Sequence, residues 1–249
     1  MPASVGGVPR LHLDSGHFEL DAILFDVGGT LLRLDHAFLA ECAAQRGHSL
    51  DAASVARGEA QARLEVDRRA AATGGVRERD AQRIEGYFAS VFRAAGVVAS
   101  EADGLAGTVA AAHIDENLWR VPLAGAERAL AGLRARGFKV GAVSNADGRV
   151  EALLRTAQLA PHLEIILDSH LEGVEKPDPE IFHRALDRFG VPARRAAYVG
   201  DIYAIDAVGA RRAGLHPILI DETGSYPPLD CPKIQRLSEL TSGGSGEKR

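Results

Sequence analysis

Beyond residue 122 the chain alternates short runs of strand-forming apolar residues with stretches of helical periodicity. Strands are expected over residues 139–143, 164–167, 196–199 and 216–220, and helices over 126–136, 149–158, 179–189 and 204–213. The segment 149–158 carries Val150, Leu153 and Leu154 on one face, and Pro179 opens a helix that Gly190 follows. Alternation at this spacing predicts right-handed βαβ units and a parallel sheet. An earlier apolar run, Ile23-Leu24-Phe25, stops at Asp26, and Gly28-Gly29 breaks the pattern. It reads as a buried parallel strand feeding a loop.

Between these two regions the rhythm changes. Helices are expected from Asp35, an N-cap, through Phe38, Leu39 and Cys42, and then over 52–72, 79–95 and 101–118. Four helices between one strand and the next read as an insertion over the carboxyl edge of the sheet. The expected fold class is α/β, a doubly wound parallel sheet built from residues 1–34 and 121–249. A smaller α-helical cap domain, 35–120, is inserted after the first strand. Residues 1–17 read as an irregular leader and 242–249 as a disordered Gly/Ser-rich end.

The 249 residues suit one large domain, or one with an insertion, and an apolar fraction of 46% supplies a core. A net charge of −5 argues against non-specific binding to nucleic acid or anionic membrane. No run approaches the roughly 18 apolar residues of a membrane helix. The first twenty residues hold no apolar core of signal-peptide length. Cys42 and Cys231, the only cysteines, read as reduced thiols. Together these features predict a cytoplasmic protein.

Four strand ends offer chemistry: Asp26, Ser144, Lys176 in the loop after the 164–167 strand, and Asp201. Alone, Asp26 is as readily a turn cap as a catalytic group. In a parallel sheet all four emerge on one edge, where ligands bind. Two carboxylates at close range repel and call for a cation, and oxygen ligands suit Mg²⁺. With Lys176 beside them, these parts fit phosphoryl transfer to a carboxylate.

The sequence resembles the haloacid dehalogenase superfamily of hydrolases, in the helical-cap subfamily. The resemblance rests on Asp26-x-x-Gly29-Thr30-Leu31, Ser144-Asn145 at a strand end, Lys176-Pro177-Asp178-Pro179, and Gly200-Asp201 followed by Asp206. It implies a Rossmann-like core and a set of roles. Asp26 would be the nucleophile and form an aspartyl-phosphate. Lys176 would bridge nucleophile and phosphoryl group. Gly29, Thr30, Ser144 and Asn145 would bind substrate. Mg²⁺ would be held by Asp26, the Gly28 carbonyl and Asp201, with Asp206 in support. The substrate would be a small phosphorylated or otherwise anionic metabolite.

One position departs from the family pattern. Its phosphatases carry a second Asp two residues after the nucleophile, the general acid and base, and here that position is Gly28. Such assistance is typically worth ~10²–10⁴-fold in rate. An aryl or acyl phosphate would suffer least from the loss. Three readings therefore stand: a slow or specialised phosphatase, a 2-haloacid dehalogenase, whose halide leaves without a proton, and a binding protein that keeps the fold. The dehalogenase reading needs an early cap arginine, for which Arg57 lies in about the right region. Asp147, the histidines and the arginines over 57–83 are weaker candidates. Trp119 and Arg120 mark the return from the insertion and read first as packing.

Overall fold

The chain builds its sheet outward from Ile23-Leu24-Phe25. The structure, a computed structural model, describes residues 9–13, 16–74 and 80–242. In chain order the elements begin with β1 (Arg10–Leu13), β2 (Gly16–Glu19), β3 (Ala22–Phe25) and β4 (Leu32–Leu34). Four helices follow: α1 (His36–Ala44), α2 (Ala52–Thr73), α3 (Asp80–Ala94) and α4 (Ala99–Asp115). Next come β5 (Trp119–Pro122), α5 (Ala126–Ala135), β6 (Lys139–Ser144) and α6 (Val150–Thr156). Then come β7 (Ile165–Asp168), α7 (Ser169–Glu172), α8 (Pro179–Phe189) and β8 (Ala196–Gly200). A π-helical turn (Tyr203–Ala207), α9 (Val208–Arg212), β9 (His216–Ile220) and β10 (Lys233–Ile234) complete the core.

Six strands form one parallel sheet in the order β10-β9-β8-β3-β6-β7. All four β3 residues are buried, as a strand covered on both faces requires. The chain leaves β3 for β6 and β7 on one side and returns to β8, β9 and β10 on the other. This reversal opens a crevice at the carboxyl ends of β3, β6 and β8, where ligands bind in open α/β sheets. One apolar cluster, with Ile23, Phe25, Val140 and Leu130, fills one face. A second, with Leu24, Phe182, Leu186 and Tyr198, fills the other. The doubly wound parallel sheet is therefore present.

Helices α1–α4 carry a cluster of their own, built on Leu39, Phe88, Phe92, Leu105 and Val109. Asp35 caps α1 through a 3.0 Å bond from Phe38 N, and Gly74, in the left-handed region, closes α2. The insertion is joined to the sheet through an antiparallel ribbon of β4 and β5, with Leu34 opposite Trp119.

Several elements differ from the sequence reading. Residues 10–13 and 16–19 form an antiparallel hairpin rather than a leader, and Leu11 is fully buried. An alternation only four residues long is too brief to register as a strand pattern. The fourth insertion helix ends at Asp115 rather than 118, because the chain must extend at Trp119 to pair with β4. The helix expected over 204–213 begins as a π-helical turn. The expected disorder beyond 242 lies outside the described residues. No described helix is long and apolar enough to cross a membrane, and both cysteines are free.

Candidate active site at the carboxyl edge of the sheet

Asp26 follows β3 directly and is buried, its backbone N–H donating to Val199 O on β8 (2.8 Å). The loop after it folds back on itself: Thr30, Leu31 and Leu32 N–H groups all donate to Val27 O. Gly29 sits at φ +81°, and a β-carbon there would come within 2.2 Å of Asp201 Oδ2. Only glycine satisfies both conditions. Thr30 is fully buried, and its Oγ1 has no hydrogen-bond partner among the described residues.

Lys176 is the hub. Its Nζ lies 2.5 Å from Asp26 Oδ1, 2.8 Å from Asp206 Oδ1 and 2.8 Å from Tyr198 OH. Tyr198 in turn donates to Val143 O (2.7 Å). The Lys176 backbone is gripped by Asn145, whose Oδ1 accepts from Lys176 N (2.8 Å) and whose Nδ2 donates to Lys176 O (2.9 Å). The Asn145 amide is thus engaged in positioning the lysine, which differs from the substrate contact expected of it. Asp206 reaches back over the π-helical turn, its Oδ2 accepting from Asp201 N (3.1 Å) and Ile202 N (2.9 Å). Ser144 ends β6, next to β3, and is buried.

Asp26, Asp201 and Asp206 each bring one carboxylate oxygen within 4.8 Å of the others. Burial pushes the Asp26 carboxyl up to about 6, while the Lys176 charge pulls it back. Burial likewise pushes Asp201 up to about 8, with Arg63 opposing. Burial works against the charge of Lys176, but Asp206 and Asp26 outweigh it and hold the ammonium above its ordinary value. Three buried carboxylates against the Lys176 ammonium and one guanidinium, that of Arg63, still leave negative charge uncompensated. Hard oxygen donors in that state fit a divalent cation such as Mg²⁺.

The insertion contributes a group that the sequence placed only among the weaker candidates, the arginines over 57–83. Arg63 on α2 places Nη1 3.2 Å from Asp201 Oδ2. One helical turn earlier on the same helix, buried Glu59 accepts from Tyr87 OH (3.2 Å) and pairs with His36 Nε2 (2.5 Å). Asp67, one turn after Arg63, accepts from Ala204 N (2.6 Å) on the core. Arg57, the arginine singled out from sequence, instead donates to Ser54 Oγ on the exposed side of α2. Asp147 is held by Arg149 rather than joining the site. Trp119 packs against Gly28: a β-carbon there would lie 3.3 Å from Trp119 Cδ1.

A model of the haloacid dehalogenase-like hydrolase family matches residues 20–214. The chain belongs to this family of hydrolases. It is similar to haloacid dehalogenase-like hydrolase domain-containing protein 3 of Bos taurus, with 34% identity over 219 residues, 85% of each chain. A shorter match, 35% identical over 128 residues, joins 51% of this chain to 54% of a glyceraldehyde 3-phosphate phosphatase of Methanopyrus kandleri. Among solved structures, a dehalogenase with an intermediate complex superposes with a TM-score of 0.64 at 23% identity. That match covers 90% of this chain and 96% of the dehalogenase, and it speaks for the fold alone. The family model thus gives a hydrolase, the relatives include a phosphatase, and the residues around Asp26 carry the choice of reaction.

Proposed function

We propose that this hydrolase is a Mg²⁺-dependent phosphatase acting through an aspartyl-phosphate on Asp26. The observation that carries the reading is Lys176, whose one ammonium contacts both Asp26 and Asp206 while Asp201 stands within the same acidic cluster. A bare dianionic phosphoryl group would be repelled from Asp26; a cation on each side of the nucleophile removes that barrier.

In this reading Asp26 Oδ attacks phosphorus, and Lys176 holds the nucleophile and phosphoryl oxygens together. The Ser144 hydroxyl donates to a phosphoryl oxygen, and the Gly29-Thr30 turn, whose own amides are engaged by Leu32 O and Val27 O, shapes the loop beside it. Asp206 and Asn145 fix the lysine head and backbone. Asp26, the Gly28 carbonyl and Asp201 would hold Mg²⁺, which when bound supplies charge neutralisation for the transferring phosphoryl group. Residues 35–120 act as a cap over a core of 1–34 and 121–249, and Arg63 is the cap side chain that meets the site. The substrate is a small phosphorylated metabolite, and the two free thiols suit the cytoplasm.

A second reading, 2-haloacid dehalogenase, draws on two observations: position 28 lacks a proton donor, and a cap arginine reaches the site. The test runs both activities side by side. Phosphate release from acetyl phosphate and para-nitrophenyl phosphate should require Mg²⁺ and vanish in Asp26→Asn. Chloride release from 2-chloropropionate without metal, and no phosphate release, would replace the phosphatase reading with the dehalogenase.

A further inference from the structure

At position 28, where the family's acid side chain would project, an indole takes up the space. A β-carbon on Gly28 would lie 3.3 Å from Trp119 Cδ1 and 3.6 Å from both Cγ and Nε1. A carboxyl group extends beyond its β-carbon, so the pyrrole edge of Trp119 crowds the space beside position 28. The ring is firmly held. It stacks on Phe88 (centroids 5.8 Å, 26° between planes), tilts against Tyr87 (5.6 Å) and meets His113 edge-on (5.4 Å). Its backbone N–H donates to Asn117 Oδ1 (2.9 Å), and it opens the strand that pairs with β4. Among the described residues no acceptor meets its Nε1–H.

We propose that Trp119 stands in for the missing acid as a hydrogen-bond donor to the leaving oxygen, selecting acyl phosphates over alkyl phosphomonoesters. The inference rests on the aspartyl-phosphate reading above and names the substrate class of that site. An indole N–H donates a hydrogen bond but does not give up its proton at working pH. It therefore helps a leaving group that departs as a finished anion and does little for an alkoxide that must be protonated. With an acyl phosphate the bookkeeping closes without an acid. The Asp26 carboxylate forms a bond to phosphorus, the P–O bond to the acyl oxygen breaks, and its electron pair leaves with the carboxylate. Water then attacks the aspartyl-phosphate. The P–O bond to Asp26 breaks, Asp26 regains its carboxylate, and both protons of that water remain on the phosphate released. Neither step needs a proton from position 28.

The test compares wild type with Trp119→Phe, which keeps an aromatic ring and removes the donor. On acetyl phosphate, kcat/KM should fall roughly 10- to 100-fold, the worth of a hydrogen bond to a charged acceptor. On an alkyl phosphate such as glycerol 3-phosphate the already low rate should change less than about threefold, and inhibition by orthovanadate, which has no leaving group, should stay the same. Trp119 is the only tryptophan in the chain, so its emission offers an independent readout in the native ring environment. In the Asp26→Asn protein, acetyl phosphate should shift that emission and inorganic phosphate should not. Wild-type turnover of acetyl phosphate that is unaltered by Trp119→Phe, or an emission indifferent to acetyl phosphate, overturns this proposal alone. Wild type that releases phosphate from neither substrate overturns the aspartyl-phosphate reading and this proposal with it.

Discussion

The Arg63 guanidinium, carried by a helix of the insertion, stands 3.2 Å from the Asp201 carboxylate at the end of β8. The pair is largely buried, with 13% of the arginine side chain and 4% of the aspartate exposed. It ties the helical insertion to the acidic cluster. It also places a fixed positive charge on a carboxylate that would ligate a divalent cation.

Removing that charge should therefore have two opposed effects. Arg63→Met strands a buried carboxylate, so the metal-free protein should lose about 3 kcal/mol in urea unfolding. The same variant should bind Mg²⁺ more tightly, roughly tenfold by calorimetric titration, because the guanidinium no longer opposes the cation. Unchanged stability together with unchanged Mg²⁺ affinity would show that the contact carries no weight.

Lys176 is the counter-charge for both Asp26 and Asp206. Lys176→Met should abolish phosphate release and destabilise the fold by about 3–5 kcal/mol, since two buried carboxylates lose their partner. Adding Asp206→Asn should recover part of the stability and none of the activity. A double variant no more stable than Lys176→Met would place the cost elsewhere. Chemical denaturation of the three proteins reads this directly.

Burial raises the carboxyls of both Asp26 and Asp201, to about 6 and about 8. The folded metal-free protein thus holds protons that the unfolded chain, with carboxyls near pKa ~4, has released. This contribution to stability is complete below about pH 4 and is lost as pH rises through the folded values. A cation that displaces those protons gains as they leave. The rise in melting temperature on adding Mg²⁺ should therefore be larger at pH 8 than at pH 6. An increment that is equal at both, or larger at pH 6, would contradict the assignment.

Gly28→Asp should not by itself create an efficient phosphomonoesterase, because its β-carbon would press on Trp119 at 3.3 Å. Paired with Trp119→Leu, which opens the space, it should raise kcat on glycerol 3-phosphate by about 10²-fold over the single variant, within the usual range for general acid catalysis. Equal rates for the single and double variants would show that the indole is not the obstacle.

How much of this was legible in the sequence follows from how each residue is placed. Asp26 and Asp201 stand at strand ends, and a parallel sheet sends every strand end to one edge, so their meeting could be read from order alone. Arg63 could not. It shares α2 with Arg57, six residues away, which is about 240° of helical rotation; nothing in the letters says which face looks down on the sheet. Trp119 against Gly28 is likewise a contact across 91 residues of chain. The π-helical turn at Tyr203–Ala207 escaped because its pattern is that of an ordinary helix, yet Asp206 reaches Lys176 and two backbone amides from it. Asn145 shows the converse: its position was evident, but its engagement with the Lys176 backbone needed coordinates.

The central claim is that Asp26 carries the phosphoryl group. Acid quench of the Mg²⁺-loaded protein during turnover of ³²P-labelled acetyl phosphate, followed by peptide mapping, tests it most directly. The label should appear on the peptide containing Asp26, be lost on treatment with hydroxylamine, and be absent from Asp26→Asn. Steady phosphate release with no label on that peptide, or undiminished release by Asp26→Asn, would contradict the account.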